Sequence, residues 1–476
     1  MAKRVVLLAV DFMLALGLVV GIARGEQPDS LTLQQPSAVQ QTAFEYDRYL
    51  SFAQDDTATP LPENAPAAET GQPAEAVEQA IDQTDCAPGC AIGCCDGCAA
   101  PCGGCGQCGL PQPCALQCLG ITVGGWLEQG VTFNADGRGD GFNGPIFTND
   151  WTNEYQLNQL WLFLDRPANN GGYGLAVGGH IDVCYGTDWR YGIQYGLEDD
   201  FQNVADRYGL VFPQIYLEVA YNNLSVKVGH FAGLLSYEVV PAPLNPFYSH
   251  AYEYAAVPEL VTGATADYKL SSQWSVQAGF HRGWMMWEDN NDRLDFMGGV
   301  KWVSWNKRTS LAYALSTGPY DNNGDNNRFV YSLVFQQQLS QRLKYVAVHD
   351  LGYAENGGIG GRDEEWYGLN QYFLYKLNPC WDLNMRFEWF RDDDGGIVRG
   401  LGTVGRYGWP GSGFAGNFYE LTLGATWKPM PNVMLRPECR WDWYNGDDGT
   451  GVYALPFDGG TKDNQFTFAM DLIVSY

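Results

Sequence analysis

The sequence predicts an all-β fold: a transmembrane antiparallel β-barrel of about sixteen strands, preceded by a disordered acidic segment and a Cys-rich segment. Three observations predict it. The last thirteen residues, Asn464 to Tyr476, read NQFTFAMDLIVSY. Phe466, Phe468, Met470, Leu472, Val474 and Tyr476 are apolar at strict period two, with Gln465, Thr467, Asp471 and Ser475 among the residues between. Period two makes a strand with one apolar face and one wetter face. The second observation is that short and long connections alternate along the chain. The third is that several strands carry mid-strand charges opposite an apolar face. A dry core makes such charges costly, whereas a lumen tolerates them.

Residues 1–25 have the layout of a secretory signal peptide. Lys3 and Arg4 form the positive start, Val5 to Val20 the apolar stretch broken by Asp11, and Ala23 and Gly25 a small-residue cleavage site. No later run approaches the ~18 apolar residues that a membrane helix needs. Loss of residues 1–25 takes the formal charge from −27 to −29. An exported acidic chain repels phosphate, so no nucleic-acid partner is expected.

Residues 26–85 hold twelve acidic residues and one basic residue, Arg48, among Pro, Ala and Gln. That composition buries little apolar surface and reads as a disordered acidic linker. Residues 86–118 contain ten of the thirteen cysteines: Cys86, Cys90, Cys94, Cys95, Cys98, Cys102, Cys105, Cys108, Cys114 and Cys118. Most spacings are C-x2-C or C-x3-C, which also suit zinc or iron–sulfur clusters. An exported chain meets an oxidising compartment, so disulfides are the favoured reading, with cross-linking to other envelope proteins as an alternative. No metal and no cofactor is expected.

Residues 119–476 form the barrel. Strands are expected near 120–134, 155–165, 173–184, 212–222, 224–231, 261–270, 273–283, 294–305, 308–317, 328–339, 342–353, 365–377, 380–391, 418–428, 432–444 and 464–476. Short connections such as Asn222-Asn223, Asn306-Lys307, Ser340-Gln341 and Asn378-Pro379 alternate with mostly longer ones such as 135–154, 185–211, 232–260 and 392–417. Outer-membrane barrels place short turns in the periplasm and long loops outside. In 380–391, Trp381, Leu383, Met385, Phe387 and Trp389 oppose Asp382, Asn384, Arg386 and Glu388; the strands 418–428 and 432–444 repeat the pattern. Strands 155–165 and 365–377 show no clean alternation. The terminal strand and its final aromatic look like the signal read by bacterial barrel assembly machinery, and the apolar faces imply outer-membrane lipid as a partner.

Four segments carry a family resemblance: Gly124-Gly125-Trp126; NPFYSHAY at Asn245 to Tyr252, then TGATADY at Thr262 to Tyr268; LRPECRWDW at Leu435 to Trp443; and DNQFTF at Asp463 to Phe468. On these, residues 119–476 resemble the beta-barrel porin-2 (OmpL-like) family. The resemblance implies a bacterial outer-membrane barrel with porin activity and supplies no catalytic residues and no particular solute.

The third long connection, 232–260, is rich in Pro and aromatic residues, unlike the Asp/Asn/Gly loops elsewhere, and suits an inward constriction loop. Glu238, Asn245, His250 and Glu253 are its candidate residues. Asp382, Arg386, Glu388, Glu420, Arg436, Glu438, Arg440 and Asp442 are the candidate pore-lining residues. They would set a transverse field for polar solutes or stiffen the wall as a salt-bridge network. Residues 119–476 carry 24 basic and 41 acidic residues, a net of −17, which points to weak cation preference. The Asp321 to Asn327 run, DNNGDNN, lacks the spacing of an EF-hand loop. His180, His230, His250, His281 and His349 make no HExxH, and Gly411-Ser412-Gly413 is no nucleophile elbow, so an enzyme is not expected. The function expected is passive diffusion of small hydrophilic solutes or ions through a water-filled lumen. The alternatives are a structural or adhesive barrel tied to the envelope through its cysteines, and a barrel enzyme. By analogy with general porins, a homo-trimer is a possible assembly.

Overall fold

The computed structural model describes residues 114–135, 141–202, 206–358, 361–399, 413–446 and 455–476. The expected signal peptide, the acidic linker and the cysteines from Cys86 to Cys108 lie outside the described residues. Cys114–Cys118 forms one turn of helix, and Cys118 is exposed with a free thiol.

Seventeen strand segments make one sheet. They are β1 (Thr122–Asn134), β2 (Tyr155–Arg166), β3 (Leu175–Gly186), β4 (Gly209–Val211), β5 (Ile215–Tyr221), β6 (Leu224–Ala232), β7 (Leu260–Lys269), β8 (Trp274–Trp284) and β9 (Asp295–Val303). They continue as β10 (Thr309–Pro319), β11 (Asn327–Gln338), β12 (Leu343–Ala354), β13 (Glu364–Asn378), β14 (Trp381–Asp392), β15 (Gly416–Met430), β16 (Val433–Gly446) and β17 (Asn464–Ser475). Neighbours pair antiparallel, and β17 pairs with β1, so the sheet closes. β4 and β5 both pair with β3 and are one stave interrupted around Pro213, whose nitrogen cannot donate to a ladder. The result is a sixteen-stave barrel whose staves coincide with the sixteen expected strands to within a few residues. Closure removes every sheet edge, which lipid cannot solvate.

The chain end secures the seam. Tyr476 and Gly125 exchange two backbone hydrogen bonds at 2.9 and 3.0 Å, and the Tyr476 hydroxyl donates to the Trp161 carbonyl at 2.8 Å. A Cβ on Gly125 would meet the Tyr476 ring at 2.9 Å, so the close approach needs glycine there.

Outward residues form an exposed apolar band that includes Leu217, Val228, Phe280, Leu423, Trp441, Phe466 and Phe468. Aromatic pairs border it. Trp381 stacks on Trp427 at 5.7 Å near the short turns, and Tyr419 on Trp443 at 5.3 Å near the long loops. Cys184, Cys380 and Cys439 have free thiols on separate strands and turns. Among the described residues no helix is long and apolar enough to cross a membrane.

The two strands without readable alternation have physical reasons. In β2 the register shifts against β1 between Glu128 and Gln129, where Gln159 and Leu157 are their partners, so Asn158 is bulged and the face pattern resets. Its inward residues Trp161 and Phe163 are then apolar and pack with Trp126. In β13 the inward face carries Trp366 and Tyr372, while outward Gln371 accepts from the Tyr345 hydroxyl at 2.9 Å.

Candidate functional site

The connection between β6 and β7, residues 233–259, turns into the barrel and packs on its inner wall. Its own bonds fix its shape. The Asn245 side chain accepts from Val239 N at 3.0 Å and donates to Val239 O at 2.6 Å, closing a turn through Pro241 and a 3-10 segment at Ala242–Leu244. A second 3-10 segment, Tyr252–Ala256, leads out towards β7.

Charged wall residues hold the loop by its backbone. The Glu438 carboxylate accepts from Tyr248 N at 2.9 Å and Ser249 N at 3.2 Å. Glu388 accepts from Tyr252 N at 2.7 Å and Glu253 N at 2.8 Å. The guanidinium groups take the carbonyls: Arg386 donates to Ser249 O at 2.8 Å, Arg440 to His250 O at 2.5 Å, and Arg436 to Ala242 O and Asn245 O at 2.9 and 2.7 Å. Two carboxylates for N–H groups and three guanidiniums for carbonyls thus satisfy a stretch of loop backbone that has no sheet to pair with.

Charge pairs extend the network. Arg386 Nη1 is 2.7 Å from Glu238 Oε1 and its Nε is 2.6 Å from Glu420 Oε1. His250 Nδ1 lies 2.8 Å from the other Glu238 oxygen. Arg436 reaches Asp471 at 3.1 Å and Glu128 at 3.2 Å, and Arg440 reaches Asp442 at 2.8 Å. The Tyr252 hydroxyl donates to Asp442, and Asn370 donates to Glu253 at 3.1 Å.

Apolar contacts complete the docking. Tyr237 and Phe247 pack with Val334, Val346, Val348 and Tyr372. Wall glycines make room for loop rings. A Cβ on Gly130 would meet the Tyr248 ring at 2.6 Å, and one on Gly424 would meet the Phe247 ring at 3.0 Å.

Of the candidate pore-lining residues, Arg386, Glu388, Glu420, Arg436, Glu438, Arg440 and Asp442 face inward and are at most 2 % exposed. The loop covers them, so their charges meet the loop rather than open water. Asp382 differs: it lies near the short turns, half-buried, 3.1 Å from Lys428. Glu238, Asn245, His250 and Glu253 all lie in the docked loop and are buried. Glu128, Asp471, Asn370, Tyr372 and Gly130 also belong to the interface and were not singled out by the sequence; the inward parity of Asp471 on β17 was their one available signal.

Among the described residues, two water-accessible cavities lie at the short-turn end, both bordered by the loop. One, of about 490 Å³, is lined by Glu218, Lys227, Asp267, Lys269 and Gln277. The other, of about 430 Å³, is lined by Tyr237, Lys344, Lys376, Asp382, Asn384 and Lys428.

The fold is similar to that of an anion-selective porin from Comamonas acidovorans, at 12 % identity and TM-score 0.50, covering 75 % of this chain and 99 % of that one. Pseudomonas putida OprB (12 % identity, 76 % and 96 % covered, TM-score 0.48) and the outer membrane channel DcaP of Acinetobacter baumannii (14 %, 75 % and 97 %, TM-score 0.47) are also similar. No curated relative matches the chain in sequence. The family model described as "Putative beta-barrel porin-2, OmpL-like" matches residues 120–476. An outer-membrane barrel with its long third loop inside the lumen, matched over its whole length by that model, belongs to the OmpL-like beta-barrel porin-2 family.

Proposed function

We propose that this porin passes small hydrophilic solutes by passive diffusion, and that the inward loop 233–259 sets its constriction. The observation that carries this reading is the loop itself. It is held inside the barrel by buried carboxylates and guanidiniums, and polar water space is left beside it. A loop fixed at that depth makes access, not the barrel radius, the resistance to flow. Fixed polar and charged groups along the remaining space replace part of a solute's hydration, while apolar solutes gain nothing there. The family and fold argue for a channel rather than an enzyme. A homo-trimer is the expected assembly, and a trimer-sized band on native gels of extracted protein is its check.

Planar-bilayer recording of refolded protein tests the reading. Stepwise conductance that grows when Pro241 to Tyr254 are deleted supports it. Absence of conductance in both proteins would count against it.

A further inference from the structure

The two cavities at the short-turn end differ in charge. The lining of the larger one is balanced: Glu218 and Asp267 against Lys227 and Lys269. The other, of about 430 Å³, presents Lys344 of β12, Lys376 of β13 and Lys428 of β15 with one carboxylate, Asp382 of β14. These four come from adjacent staves. Asp382 is the direct cross-strand partner of Lys376 and is bonded to Lys428 at 3.1 Å. Lys376 is thus its neighbour in register, but only Lys428 is ion-paired to it. Lys344 is separate: its Nζ lies 3.5 Å from the Tyr237 hydroxyl and 5.5 Å from that ring's centroid. Among the described residues Lys344 and Lys376 make no ion pair. The lining therefore carries a local charge of about +2, in a chain whose formal charge is −27. One neutral donor, the Tyr237 hydroxyl, stands beside the lysines. Low-dielectric walls focus such a field into the cavity and raise the local concentration of the opposite charge.

We propose that this cavity is a binding site for small oxyanions, of the phosphate or carboxylate class, at the periplasmic mouth of the pore. The site rests on the porin reading only in that it would lie on the solute path. The ammonium groups of Lys344 and Lys376 make charge-assisted hydrogen bonds to the anion, and the Tyr237 hydroxyl supplies a further donor. Lys428 contributes less, because Asp382 holds it. The site biases the pore towards anions, opposite to the preference that the summed charge of the barrel suggests.

Two measurements on refolded full-length protein separate this proposal from the porin reading. Calorimetric titration with inorganic phosphate, at low salt in detergent, reads binding alone. Wild type binds; K344Q/K376Q weakens binding at least tenfold; D382N, which removes the one opposing charge, tightens it. Bilayer reversal potentials in a KCl gradient read transport. The chloride-to-potassium permeability ratio falls at least twofold in K344Q/K376Q and rises in D382N. Equal phosphate binding by wild type and K344Q/K376Q, or none by wild type, overturns the site even if the protein conducts. Phosphate binding with the expected order of variants but no conductance keeps the site and overturns the porin reading. Retained heat-modifiable mobility in both variants establishes that they fold.

Discussion

Glu238 and Arg386 meet at 2.7 Å across 148 residues of sequence, joining the neck of the inward loop to β14. The same guanidinium also bonds Glu420 and the Ser249 carbonyl, and His250 takes the second Glu238 oxygen. One arginine therefore neutralises two buried carboxylates and anchors the loop.

Replacing Arg386 with Met should destabilise the barrel by about 3–5 kcal/mol, because buried Glu238 would lose its guanidinium and Glu420 would keep only the more distant Arg440, at 3.9 Å. Removing both ends, in R386M/E238Q, should recover a good part of that loss. Urea unfolding followed by the gel shift of heat-modifiable protein reads both values, and a single variant as stable as wild type would contradict the anchoring role.

Gly130 faces Tyr248 so closely that a side chain there meets the ring at 2.6 Å. Gly130→Leu should push Tyr248 off β1 and loosen its hydroxyl's bond to Asn158. Limited proteolysis should then cut the loop between Pro246 and Tyr254 faster than in wild type. Unchanged cleavage would mean that the loop is not held by this contact.

Phe466 and Phe468 are about half exposed on the lipid face of the last strand. Changing both to Asp puts two charges against hydrocarbon, which costs up to about 1 kcal/mol each near the band's edge and more towards its middle. The change should also abolish the terminal apolar pattern that assembly machinery would read. Outer-membrane fractions should lose the heat-modifiable form; normal insertion would contradict the lipid-facing assignment.

Glu198 lies in the long connection between β3 and β4. Burial pushes its carboxyl from an ordinary value near 4.5 up to about 7, although Gln194 N and Phe212 N both donate to it at 2.7 Å. A raised carboxyl favours the folded loop at low pH, and that contribution is lost as pH climbs from about 4.5 through 7. Hydrogen exchange at residues 187–202, corrected for intrinsic rates, should therefore show weaker protection at pH 8 than at pH 5.5. The difference should shrink in Glu198→Gln; equal protection at both pH values in wild type would contradict it.

Much of the fold was legible because period two survives wherever the inner wall is charged. β14 to β17 read cleanly: Arg386, Glu388, Glu420, Arg436 and Asp471 alternate with lipid-facing rings and aliphatics. Legibility fails where the interior is packed rather than wet. Trp161, Phe163, Trp366 and Tyr372 face inward against other side chains, so β2 and β13 look apolar on both faces. The partners of the loop were not legible at all. Nothing in the spacing of Glu238 and Arg386 announces a contact that only barrel closure creates. Summed charge also carries no information on the local pattern at the short-turn end. A net of −17 over the barrel hides that Lys344, Lys376 and Lys428 share one cavity, since charge acts within about 10 Å in salt and not over a whole chain.

We propose that the docked loop sets the resistance of the pore, and single-channel conductance of the Pro241 to Tyr254 deletion in planar bilayers is the decisive measurement. The deletion variant should be a folded, heat-modifiable barrel whose unitary conductance is several times that of wild type, because the obstruction held by Arg386, Glu388, Glu438 and Arg440 is gone. A folded deletion variant with wild-type conductance would contradict it and place the constriction elsewhere.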